Sequence, residues 1–185
     1  MLSPEGAGST LEDPSRIKSN IMVDTSTLGP GHGRNHIVFA DTPLPFLTRE
    51  SQRWVMEHYS YNSKCVTEDW LDELMRVAAL PKYLESVEKM EAGGLNEKVF
   101  LPNHSRQKSE TFDWLMERGT GRPNFLIWGH NDPTATIDQG FVLFDMLIHR
   151  EPRTEMHVFN ESGHFTYREH PEAFNRLVLD YANNL

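Results

Sequence analysis

The chain has 185 residues, 38% of them hydrophobic, and a net charge of −9 from 27 acidic and 18 basic side chains. That is long enough for one domain with a core, and the acidic balance argues against partners that are themselves polyanions, so neither nucleic acid nor an anionic membrane surface is expected. No apolar run reaches the roughly 18 to 20 residues of a membrane span, MLSPEGAGST lacks the basic-then-apolar order of a secretory signal, and Cys65 is the single cysteine, so the chain reads as cytoplasmic without internal disulfides.

Residues 1 to 15 read as loop, because Pro4, Gly6, Gly8 and Pro14 interrupt any pattern. Ile21-Met22-Val23 reads as a short buried strand over 21 to 24, followed by a Gly/Pro break at 28 to 35. The GPGHG within that break has neither the helix nor the lysine that a phosphate-binding loop needs. From about Thr48 to Gly119 the period is helical. Trp54, Val55, His58 and Tyr59 share one face, and Thr67 caps a helix whose apolar side is Trp70, Leu71, Leu74, Met75 and Ala78. Pro81 opens a third helix that Gly93-Gly94 stops, and Phe112, Leu115 and Met116 line a fourth that ends at Gly119. These charged helices read as a layer lying on something else.

After Pro123 the pattern changes. Phe125-Leu126-Ile127-Trp128 is a continuous apolar run, the sign of a strand over 124 to 128 buried on both faces. A helix over 137 to 149 should bury Ile137, Phe141, Phe144, Leu147 and Ile148; a strand follows at 155 to 159, then a helix opened by Pro171. Strand, helix, strand, helix predicts an α/β fold with a parallel sheet, whose sites lie beyond the carboxyl ends of the strands.

Two residues fall there. Asp132 follows Gly129 at the end of one strand, and His164 follows Gly163 after the next. An imidazole can take and return a proton near neutral pH, and a carboxylate can hold its Nδ1 proton and stabilise the imidazolium. Two plainer readings stay open: Asp132 as a turn or cap residue before the helix, and His164 as a histidine packed beside Phe165 and Tyr167. His157, His164 and His170 straddle a strand and a helix start without metal-ligand spacing, so no metal is expected.

The segments RPNFLIWGHNDPTA and HVFNESGHFTYREHPEAFNRLVLDYANNL resemble the C-terminal end of an α/β-hydrolase, and within that superfamily the meta-cleavage product hydrolases, which cut carbon–carbon bonds in ring-fission products of aromatic degradation. The resemblance implies a partial α/β-hydrolase fold: residues 1–41 as the end of the core before a lid, 42–118 as an inserted helical lid, and 119–185 as the C-terminal core. It implies Asp132 as triad acid and His164 as triad base, with Asp24 the alternative acid. Arg76, or its rivals Arg49 and Arg53, would hold a substrate carboxylate, and Phe165 would wall the pocket. It implies a small-molecule substrate, a carboxylated dienone, with no cofactor, and leaves a homo-oligomer of the full-length form open.

The family's nucleophile is the serine of G-x-S-x-G, and no such pentapeptide occurs in this sequence. Ser3 and Ser9 lie near where the resemblance would place it, but Pro4 spoils the first turn and the second sits too close to the following strand. The chain is therefore expected to be inactive alone, as part of a longer or split hydrolase. An esterase, amidase or epoxide hydrolase of the same fold, or a non-catalytic binding fragment, are the alternatives.

Overall fold

A computed structural model describes residues 13–29 and 33–185, so Ser3, Ser9 and the middle of GPGHG lie outside the described residues. Among the described residues, three parallel strands, β1 (Asn20–Val23), β2 (Asn124–Gly129) and β3 (Thr154–Phe159), form one sheet in that order. Their register aligns Asn20, Asn124 and Thr154 in one row. The Asn20 amide donates to Asn124 Oδ1 (3.0 Å) and the Asn124 amide to Thr154 Oγ1 (3.2 Å), so a polar ladder fixes the amino ends of all three strands.

The central strand explains its own composition. Every residue of β2 is buried. Its even-numbered side chains, Leu126 and Trp128, join Met22, Leu28, Leu115, Leu143 and Leu147 on one face of the sheet. Its odd-numbered ones, Phe125 and Ile127, join Phe159 and Tyr181 on the other, with Phe174 and Leu177 packed against them. Alternating residues from Phe125 to Trp128 serve opposite cores, so that run is apolar at both parities.

Between β1 and β2 the chain is helical: α1 (Asn35–Ala40), α2 (Arg49–Tyr59), α3 (Glu68–Ala78), α4 (Pro81–Ala92), a π-helical segment Asn96–Phe100 and α5 (Leu101–Arg118). The start signals act as read. Thr48 and Ser51 form a capping box on α2, the Thr67 side chain accepts from Trp70 N–H on α3, and Pro81 sits in the first turn of α4. After β2 come α6 (Ile137–Ile148), β3, a short α7 (Thr166–Glu169) and α8 (Pro171–Asn183).

The structure corrects the predicted face of α6. Phe141 is 53% exposed, whereas Gln139, Gly140, Leu143 and Leu147 are buried. The helix turns Gly140 toward Trp128, so the indole lies against backbone and Phe141 rotates outward. Helix α1 was not predicted, because its six residues follow the Gly/Pro break and only Val38 is buried. Among the described residues, no helix is long and apolar enough to cross a membrane.

Candidate active site

The carboxyl ends of β2 and β3 are pressed together by two glycines. A Cβ on Gly129 would lie 2.1 Å from Gly163 O and 2.7 Å from Ser162 O; one on Gly163 would lie 2.4 Å from Tyr59 O. Only glycine permits both approaches. The contact is then tied by main-chain bonds: His130 N–H donates to Phe159 O (2.8 Å), Asn131 N–H to Ser162 O (2.9 Å) and His164 N–H to Tyr59 O (2.8 Å).

This backbone arrangement delivers Asp132 and His164 to each other. His164 Nδ1 lies 2.7 Å from Asp132 Oδ2, and the Asp132 side chain is fully buried. An ionised carboxylate only accepts, so Nδ1 carries the proton. The other oxygen, Oδ1, accepts from Thr134 N–H (2.7 Å), Thr134 Oγ1–H (2.9 Å) and Ala135 N–H (2.9 Å). The two readings that the sequence left open for Asp132 are therefore compatible: one oxygen builds the turn and the other holds the imidazole.

The His164 ring meets Tyr59 (centroids 5.3 Å apart) and Phe165 (5.4 Å) edge-on. Burial alone pulls its basicity down, but the hydrogen bond and charge of Asp132, with Asp24 behind, raise its pKa above the ordinary 6.5. Among the described residues nothing hydrogen-bonds Nε2, the nitrogen able to exchange a proton with a reactant. The ring lines a cavity of about 270 Å³ with Val23, Tyr167 and Phe174. Val23 ends β1, which is an edge strand among the described residues.

Of the other expected residues, Phe165 lies against the imidazole and the arginines lie on α2 and α3. Phe165 is buried with Val38, Val55 and Tyr59, its ring edge-on to Trp70 at 4.9 Å, so it sits in the seam between the sheet end and the helices. Trp54 and Trp70 pack against the same cluster. The Arg76 side chain is 62% exposed and pairs with Glu73 one turn back. Arg49 pairs with Glu68 and Asp72, and Arg53 with Glu57 and Glu68. Among the described residues no group of three or more His, Cys, Asp or Glu side chains is gathered that could hold a metal ion.

Several supports went unread. The Glu169 carboxylate accepts from Gly163 N–H (2.6 Å) and Asn62 N–H (2.8 Å), locking the histidine turn to the segment after α2. Arg168 stacks its guanidinium 3.9 Å over Trp70. Thr134 could have been found from its place two residues after Asp132, the spacing of an Asx turn. Tyr59 could not, since its part is a main-chain carbonyl.

No family profile matches the chain. It is similar to the 2-hydroxy-6-oxononadienedioate/2-hydroxy-6-oxononatrienedioate hydrolase of Cupriavidus pinatubonensis, 29% identical over 185 residues covering 94% of this chain and 56% of that protein. It is similar also to hydrolase 1 of the same name from Dechloromonas aromatica, 29% identical over 92% of this chain and 55% of that one. The chain thus spans about half the length of the curated relatives it matches. In structure it resembles the meta-cleavage product hydrolase CumD of Pseudomonas fluorescens IP01, with a TM-score of 0.70 and 17% identity over 98% of this chain and 61% of that one. The likeness to solved structures gives the chain a partial α/β-hydrolase fold, and its sequence is similar to the two curated 2-hydroxy-6-oxononadienedioate hydrolases over about half their length.

Proposed function

We propose that the chain supplies the acid–base couple of a serine-type hydrolase that cleaves a carbon–carbon bond in a ring-fission product of aromatic degradation. The observation that carries this is the 2.7 Å contact between His164 Nδ1 and a buried, turn-anchored Asp132 at adjacent strand ends, beside a cavity. His164 Nε2 takes the proton of an attacking hydroxyl, and Asp132 holds the ring in the productive tautomer and stabilises the imidazolium. The hydroxyl comes from polypeptide beyond this sequence, which contains no G-x-S-x-G.

The substrate is a vinylogous 1,5-diketo acid. Its dienol converts to the keto form, the activated oxygen adds to the ketone carbon, and the adjacent carbon–carbon bond breaks. Its electron pair passes into the neighbouring unsaturated ketone as a dienolate, which takes the proton held at His164 Nε2, and water then releases the acyl group from the attacking oxygen as a carboxylic acid. No metal or organic cofactor takes part. The helices between β1 and β2 act as the lid, and Phe165 backs the imidazole from that side. Arg76 holds the substrate carboxylate; its pair with Glu73 is solvent-exposed, and such pairs contribute only about 0–1 kcal/mol, so exchanging Glu73 for substrate is cheap.

The test is turnover of a coloured ring-fission product, alongside p-nitrophenyl acetate. A polypeptide that extends this chain upstream through an in-frame G-x-S-x-G should cleave the first substrate and lose activity on His164→Ala. The present chain alone should turn over neither. Clear turnover by the chain alone, abolished by His164→Ala, would contradict the placement of the nucleophile; an extended polypeptide active on the ester only would contradict the substrate class.

A further inference from the structure

One buried ionisable group has no part in the scheme above. Asp24 directly follows β1, holds a positive φ of 43° and is 4% exposed. Its Oδ1 accepts from Gly129 N–H at 2.7 Å, and its Oδ2 lies 2.8 Å from Thr166 Oγ1. Gly129 ends the strand whose turn carries Asp132, and Thr166 stands two residues beyond His164. Asp24 N–H in turn donates to Ile127 O (3.0 Å), which fixes its own backbone to β2. A left-handed residue that is not glycine, fully engaged and buried, is the kind of local cost that functional sites retain.

We propose that Asp24 is a positioning residue for the Asp132–His164 pair: its carboxyl group joins the segment that carries the aspartate to the segment that carries the histidine, and its charge acts on the imidazole. The proposal deepens the reading of that pair as the acid–base couple and rests on it. The bonds to Gly129 and Thr166 are made where the two segments touch, so without them the turn of His164 is held to the end of β2 by main-chain contacts and the Asp132–His164 bond alone. Thr166 is fully buried and its hydroxyl has Asp24 as its partner, which gives the link a fixed direction.

The ionisable groups that face Asp24 are Asp132 from the β2–α6 turn, His164 from the segment after β3, and Tyr167 of α7. Burial, with the charge of Asp132 added, pushes the Asp24 carboxyl up to about 7, against the pull of Gly129, Thr166 and His164. Asp24 and His164 each act on the other's charge, so they titrate as a coupled pair. An ionised Asp24 favours the protonated imidazole; a neutral one does not.

The experiment is an NMR titration of the His164 imidazole in this chain, assigned with His164→Gln, together with its low-field Nδ1–H resonance. In the wild type the curve should spread over two steps. Asp24→Asn keeps the shape and an acceptor for Gly129 N–H but removes the charge; it should give a single step with its midpoint lowered by about half a pH unit or more. Thr166→Val cuts the link without touching Asp24, and should broaden the Nδ1–H resonance through faster exchange. It also serves if Asp24→Asn fails to fold. A wild-type titration curve in Asp24→Asn, or an unaltered Nδ1–H signal in Thr166→Val, would overturn the proposal. Asp132→Asn separates the two readings: if it leaves His164 unmoved, the acid–base couple itself fails, whereas a shift there without one in Asp24→Asn defeats the Asp24 proposal alone.

Discussion

Replacing Gly129 by alanine tests whether the two strand ends must touch for the site to exist. The added Cβ would sit 2.1 Å from Gly163 O and 2.7 Å from Ser162 O, both main-chain atoms that no rotamer change can move aside. Restoring an ordinary contact requires the turn that carries His164 to retreat by about 1 Å, through main-chain bonds at 2.8 and 2.9 Å and the Asp24 bond to Gly129 N–H. Overpacking of this kind costs about 1–3 kcal/mol, and opposed backbone on both sides puts this case at the upper end or above. For a chain of this size each kcal/mol lowers Tm by about 2–4 °C, so Gly129→Ala should melt about 6–12 °C below the wild type by circular dichroism. Leu179→Ala, a change at a 61% exposed side chain, is the control and should stay within about 0.5 kcal/mol. A Gly129→Ala melt within about 2 °C of the wild type would refute the claim that this approach is tight.

Glu169→Ala should leave Gly163 N–H and Asn62 N–H without their shared acceptor, costing about 1–3 kcal/mol and speeding amide exchange at both positions; wild-type exchange would count against that lock. Stability should also fall with rising pH. The folded protein keeps the Asp24 proton to about pH 7, while the unfolded chain releases it near 3.8, so this contribution is complete below about pH 4 and is lost as pH climbs through 7. His164, raised above 6.5, acts in the same direction, its contribution present below that value and lost above its folded pKa. Thermal melts at about pH 5 and about pH 8 should show the wild type falling relative to Asp24→Asn, and a gap that ignores pH would contradict the assignment.

Much of this fold is legible because strong local signals coincide with tertiary need. Phe125 to Trp128 reads as a doubly buried strand since both sheet faces are covered, and Thr48, Thr67 and Pro81 mark helix starts by satisfying or lacking N–H groups. Gly129 and Gly163 stand before the two site residues, and the structure gives the reason as close approach of one backbone to another. Asp132 and His164 were legible as strand-end residues. Their mutual contact depends on the parallel register of β2 and β3, which no local signal records. The supports were hidden for the same reason. Glu169 and Asp24 accept from the backbone N–H groups of Asn62 and Gly129, distant in sequence, and the Tyr59 carbonyl carries no side-chain signature at all. Phe141 misled because periodicity reports an apolar face, whereas Trp128 against Gly140 decides which way the helix turns.

The central claim is that a buried carboxylate holds the His164 proton at Nδ1, and Asp132→Asn measures it most directly. The substitution preserves an acceptor for Thr134 and Ala135 but removes the charge facing the ring. A charge-assisted bond of this kind is worth about 1.5–3 kcal/mol, which corresponds to about one to two pH units in the imidazole titration. The account predicts that Asp132→Asn lowers the His164 pKa by that amount and abolishes the low-field Nδ1–H resonance. An unchanged titration with the resonance still present would contradict it.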